Sequence, residues 1–331
     1  MHVPDGFVDI PVAVVTAAAS LGVVAVAVRK TGKQMGERTI PLLGVTAAFI
    51  FAAQMLNFPV AAGTSGHFLG AMLAAAFLGP WAATVTLTVV VTVQALVMAD
   101  GGITALGANV LNMAIVAVFV GYGAFLLLRR LLPRTSTGYL VSLAISSWLS
   151  IVAAAAACAV ELAVSGTLPL RNALPAMVSV HMVIGLGEAL ITVAIASAVL
   201  VARPDLVRTY GLPAGEAFRR DVGRSPSRLR FWSFVAGAFV VAAALAVFVS
   251  PFVSGAPDGL ESVALAQRAE STATGTPAWQ LAPLPDYQLP GVESQAVSTA
   301  LAGLIGTAAL FAVVILAGRA LGRRRPKAES G

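Results

Sequence analysis

Charge is scarce in this chain. Only 11% of its 331 residues are Asp, Glu, Lys or Arg, against about 25% in a soluble globular domain. That scarcity excludes a disordered tail and a cytosolic enzyme. Cysteine is nearly missing: Cys158 stands alone, so no intrachain disulfide forms and redox chemistry identifies no compartment. Aromatic residues are 7% of the chain, and with Ala and Val dominating the apolar set the helices are slim and pack closely. No G-x-x-x-x-G-K-[ST] cradle occurs, so a pump driven by ATP needs other subunits to hydrolyse it. Neither H-E-x-x-H nor G-x-S-x-G is present, which argues against an intramembrane metalloprotease or a hydrolase. The first nine residues carry two acids and no base. A secretory signal opens with positive charge, so the N-terminus is expected to be kept.

What is there is apolar: 58% of residues are hydrophobic and the mean hydropathy is +0.88. Runs of roughly 17–25 apolar residues mark membrane-spanning helices. They fall near residues 10–28, 40–60, 81–98, 104–128, 139–164, 178–201, 231–253 and 299–318. A shorter run at 66–79 must also cross for the charges to agree, which makes nine crossings. With nine, 19 of the 21 Lys and Arg fall on one side and only Arg171 and Arg268 on the other. Basic residues stay cytoplasmic, so the N-terminus is expected outside and the C-terminus inside. Charge placed this way also makes nucleic acid the wrong partner for a chain of net charge +6; membrane lipid is the right one. The expected fold is an all-α integral membrane protein, a polytopic bundle of about seven core helices plus a C-terminal two-helix hairpin. Residues 202–230, rich in Arg, Pro and Gly, read as a basic cytoplasmic linker. They divide a core over 1–201 from a module over 231–331, whose outer loop spans 254–298.

The chain has three histidines, His2, His67 and His181. His2 and His67 fall on the outer side with the free α-amine, and these groups are deprotonated for metal binding at little cost around neutral pH. The Met1 amine, the His2 backbone nitrogen and the His2 ring can wrap one ion in two fused chelate rings, and His67 can complete four nitrogens. A planar nitrogen set favours Ni(II) or Cu(II), accepts Co(II), and suits Mg, Ca or tetrahedral Zn poorly. Spacing alone leaves the other reading open, that His2 is an incidental surface residue and His67 an N-terminal helix residue.

His181 stands seven residues before Glu188, roughly on the same helix face. Intramembrane ionisable groups are functional candidates; a structural His181–Glu161 or Glu188–backbone pairing competes with that role. Asn57, Asn109 and Asn112 lie in or beside apolar runs, where they can serve the His67 loop, a ligand or neighbouring helices. An acidic outer face, including Asp258, Glu261 and Asp286, would concentrate cations, although it is equally the complement of a basic inner face.

Several ordered stretches resemble one family. Met1-His2-Val3-Pro4-Asp5-Gly6-Phe7 is similar to the opening of the CbiM/NikM family, the substrate-binding components of cobalt and nickel energy-coupling-factor (ECF) transporters. Gly63-Thr64-Ser65-Gly66-His67-Phe68-Leu69-Gly70, the stretch Gly101-Gly102 through Asn109 to Asn112-Met113, and His181 with Gly185-Leu186-Gly187-Glu188 resemble it too. Pro257-Asp258-Gly259-Leu260-Glu261 resembles the CbiN-like partner, often called a PDGLE domain, fused here to the C-terminus. The resemblance implies metal binding by Met1, His2 and His67; Asn57, Asn109, Asn112, His181 and Glu188 stand beside them as candidate supporting or structural residues. It also implies a transporter subunit with no cofactor and no enzymatic activity of its own. A membrane coupling (T) subunit and cytoplasmic ATPase (A) subunits are its implied partners, and a bacterial cell membrane is its location. Cobalt is the first expected substrate, because a PDGLE-type tail is typical of the cobalt group, and nickel the alternative. A stand-alone secondary carrier and a membrane sensor or scaffold are the other classes compatible with the chain.

Overall fold

The computed structural model describes residues 1–34, 38–60, 64–210, 228–252, 256–266 and 278–323. Most of the expected linker (211–227), Arg268 and Glu270 of the long loop, and the basic end beyond 323 lie outside the described residues.

The chain is a multi-pass helical membrane protein. Among the described residues, seven helices are long and apolar enough to cross a membrane. These are α1 (Ile10–Gln34), α4 (Pro80–Val97), α5 (Leu106–Leu131), α6 (Ser136–Val164), α7 (Leu170–Ala202), α8 (Arg228–Phe252) and α10 (Gln295–Arg323). The other two expected crossings are short. Helix α2 (Thr39–Gln54) has 16 residues and α3 (Ala71–Leu78) has 8, followed at once by α4 with Pro80 in its first turn. Proline fits there because its missing N–H has no intrahelical acceptor to lose.

Helices α5, α6 and α7 pack in sequence, α4 packs on α1 and α3, and α8 and α10 both lie against α2. The C-terminal module therefore docks on the core. Apolar side chains such as Ile10, Val15 and Leu21 on α1, Leu190 on α7 and Phe248 on α8 point outward, as lipid-facing residues do. Helix α5 carries a π-helical turn over Val110–Val116 that holds Asn112 inside.

Two contacts mark opposite ends of the bundle. Asp5 accepts from Thr104 at the start of α5, whereas Lys30 near the end of α1 sits 4.0 Å from the Trp81 ring. Twenty residues of α1 separate these levels, about 30 Å at 1.5 Å per residue. The 66–79 run joins them, but not as a full-length helix: α3 supplies only about 12 Å of the path. Residues 55–60 and 64–70 supply the rest as irregular chain, pinned by a two-residue antiparallel pair, Phe58–Pro59 (β1) with Ser65–Gly66 (β2). Residues 64–70 are all buried, and non-helical backbone at membrane depth survives only inside protein.

Candidate metal-binding site

The N-terminal tail folds into the bundle instead of lying on its surface. Val3 has none of its surface exposed, and Met1 and His2 are also buried. Asn109 holds Val3 from both sides, accepting its N–H at 2.7 Å and donating to its carbonyl at 3.1 Å. The Gly102 N–H donates to the same carbonyl at 2.8 Å. A side chain at Gly102 would put its Cβ 2.2 Å from the Asp5 nitrogen, so only glycine admits the tail here.

This placement brings Met1, His2 and His67 together. The Met1 nitrogen lies 2.9 Å from His67 Nε2, and the His2 and His67 rings stack with centroids 5.3 Å apart and planes 17° from parallel. Two nitrogens bound at about 2.0 Å to one ion and at right angles stand about 2.8 Å apart, so the Met1–His67 pair already has the spacing of one edge of a planar site. Among the described residues no three His, Cys, Asp or Glu side chains form a metal-holding group. A metal here depends on backbone and terminal nitrogen.

Neighbouring groups engage each nitrogen. His2 Nδ1 lies 3.0 Å from Asp100 Oδ1 and His2 Nε2 lies 3.2 Å from Gln94 Oε1. Tyr287 donates to the other Asp100 oxygen at 2.5 Å, and Gln94 donates to both Tyr287 and Gln54. Asp258 accepts from the Met1 amine and stands 3.9 Å from His67 Nε2. Burial pushes the Asp100 and Asp258 carboxyls up, but His2 and the Tyr287 hydrogen bond at Asp100, and the N-terminal amine at Asp258, outweigh it and hold both below the usual range.

The PDGLE stretch has a physical explanation. Asp258 Oδ1 accepts from the Leu260 and Glu261 N–H groups while Glu261 accepts from the Asp258 N–H at 2.8 Å. This capping box starts α9 (Gly259–Ala266) and leaves Oδ2 free to face the amine. Ser65, two residues before His67, clamps this loop through the Ala256 and Pro257 carbonyls.

The remaining sequence candidates take supporting places. Glu188 accepts from the Leu69 and Gly70 N–H groups at 2.6 and 2.9 Å, a backbone pairing that braces the loop behind His67. His181 Nδ1 faces the Met177 carbonyl at 2.7 Å, and its ring abuts Gly259. Glu161 pairs with Asn112 at 2.6 Å, not with His181. Asn57 lines a cavity of about 770 Å³ between the core and the C-terminal module, together with His2, His67, Asp100, Asp258 and Tyr287. Sequence reasoning missed Gln54, Gln94, Asp100 and Tyr287 as site residues. Buried amides in apolar runs were the only local signal for the two glutamines.

Residues 2–206 match the CbiM family, described as the cobalt uptake substrate-specific transmembrane region, and residues 232–323 match the PDGLE domain. A chain of Archaeoglobus fulgidus, named provisionally as the fused nickel transport protein NikMN, is 36% identical over 315 residues, covering 95% of this chain and 96% of that one. The fused nickel transport protein NikMN of Rhodobacter capsulatus is 32% identical over 357 residues, covering 98% and 99%. A solved structure described as a truncated transition metal transporter is 38% identical with a TM-score of 0.56, covering 61% of this chain and 99% of its own. The match spans the helices that build the buried tail and the His67 loop, and the chain belongs to the CbiM family, with a PDGLE domain following on the same polypeptide.

Proposed function

We propose that this chain is the substrate-capture component of an ATP-driven ECF-type uptake transporter for a divalent transition metal. The observation that carries this reading is the buried Met1 amine 2.9 Å from His67 Nε2, beside a stacked His2 ring. The ion is held by the amine, the His2 backbone and ring nitrogens, and His67. Nickel stands ahead of cobalt here, reversing the order drawn from the tail alone. Four nitrogens in a plane suit Ni(II) better than Co(II), and both near-full-length relatives with the same fused arrangement are named for nickel.

In this reading the core over 1–201 binds the metal at its outer face. The linker over 202–230 is cytoplasmic, and the module over 231–331 covers the site through Asp258, Glu261, Asp286 and Tyr287 of its outer loop. The N-terminus is outside, the C-terminus inside, and the membrane is the bacterial cell membrane. A membrane coupling subunit and cytoplasmic ATPases supply the work. Among the described residues, four carboxylates, Asp100, Asp258, Glu261 and Asp286, and no Lys or Arg line the cavity at the nitrogens, which favours cation approach.

Calorimetric titration of the purified chain with Ni2+ and with Co2+, beside a variant carrying one extra residue before Met1, tests the reading. Tight one-to-one binding lost in the extended variant supports it. Equal binding by both proteins overturns the amine as a ligand.

A further inference from the structure

Helix α3 connects the candidate ligand His67 to the far end of the bundle as a short rod between two glycines. These flanking residues, Gly70 and Gly79, both have positive φ, +77° and +81°, a region costly for other residues and natural to glycine. Between them lie Ala71, Met72, Leu73, Ala74, Ala75, Ala76, Phe77 and Leu78, buried except for a partly buried Phe77. The top of the rod is tied to Glu188 through Leu69 and Gly70, two and three residues beyond His67.

The bottom of the rod is tied to the strap that leaves α7 toward the second module. The last carbonyls of a helix have no partner inside it. Here they are met from the strap: the Thr209 N–H donates to the Ala76 carbonyl at 3.1 Å, the Thr209 hydroxyl to the same oxygen at 3.2 Å, and Arg208 to the Leu78 carbonyl at 3.2 Å. The Arg208 side chain also packs on Gly79. Tyr139 fixes Thr209 from α6 through its hydroxyl at 2.9 Å, and Ser136 meets Tyr210 at 2.7 Å.

We infer that Arg208 and Thr209 are positioning residues of the metal site, setting the placement of His67 through α3 from the opposite end of the bundle. The inference rests on the reading of His67 as a ligand. Displacement of the strap lets the rod shift between its two glycines, and the His67 loop, tied to its upper end, moves with it. A pull at the linker end would thereby loosen the cargo.

The test uses the full-length chain loaded with Ni2+. Metal dissociation into excess chelator and the visible absorption of bound Ni2+ are followed for wild type, Thr209→Val, Thr209→Ser, Arg208→Gln and the control Ser147→Ala. Ser147 bonds Thr192 between α6 and α7 and takes no part in the hydrogen bonds of the strap. Arg208→Gln removes one hydrogen bond at the strap and Thr209→Val the two of the hydroxyl; passed on to the ligand, such a loss speeds release by about three- to tenfold. The expected result is faster release and an altered spectrum in Thr209→Val and Arg208→Gln, with Thr209→Ser and Ser147→Ala like wild type. Release and spectra in both strap variants that match Ser147→Ala overturn the inference. If Thr209→Val does not fold, Arg208→Gln alone decides. Wild type that binds no Ni2+ overturns instead the function on which the inference rests.

Discussion

Asp258 of the C-terminal module accepts a hydrogen bond from the amine of Met1, 257 residues away. One carboxylate thus does two things: its Oδ1 starts α9 and its Oδ2 holds the N-terminus of the core. Removing it should cost more than removing its capping partner. Asp258→Ala loses a cap worth about 1 kcal/mol and leaves a buried ammonium without its carboxylate, which costs a further few kcal/mol. Glu261→Ala loses only part of the box. Thermal unfolding of both variants in detergent should show the larger drop for Asp258→Ala. Equal drops would contradict the paired role.

His181 is buried and near the amine but outside the nitrogen set. His181→Ala should therefore lower stability by about 1–3 kcal/mol through the cavity it leaves and change metal affinity little. Titration of this variant beside His67→Ala checks the point. Loss of binding in His181→Ala as complete as in His67→Ala would make His181 a ligand.

Glu188 shapes the loop without touching the nitrogens. Glu188→Gln keeps the size but can accept only one of the two N–H groups well, so the His67 loop loosens. Supporting groups behind metal ligands typically change affinity by about 10- to 100-fold, and a loss of that size is expected in a metal titration. Unchanged affinity would assign Glu188 to stability alone.

Stability should fall in acid. Asp100 and Asp258 are held below the usual carboxylate range in the fold, so under their ordinary value of 3.8 the unfolded chain takes up protons that the folded one refuses. Stability therefore declines as the pH drops through and below that value. Melting of the metal-free protein should fall in this range, with a shallower slope in Asp100→Asn. A melting temperature that rises as the pH drops below 3.8 would contradict this.

Much of this arrangement is legible in the sequence, for identifiable reasons. The spans follow from apolar runs, and Met1, His2 and His67 from donor chemistry combined with scarcity, since there are only three histidines to consider. Helix α3 reads as a brief run because Pro80 ends it, but its burial among five other helices depends on packing no local pattern encodes. The Asp258–Met1 and Tyr287–Asp100 contacts join segments more than 180 residues apart. Asp258 and Glu261 carry the spacing of a capping box, which announces a helix start but not that the spare oxygen meets the N-terminus. Asn112 and Glu161 show the same limit: the sequence offers Glu161 to His181, whereas the fold pairs it with Asn112 from the π-helical turn of α5.

The central claim is that one transition-metal ion is held by Met1, His2 and His67. Its most direct test is the metal content of the full-length protein purified after growth in equal nickel and cobalt, wild type beside His67→Ala. The account predicts about one equivalent of a single metal, nickel, in wild type and none in the variant. The same metal content in both proteins would contradict it.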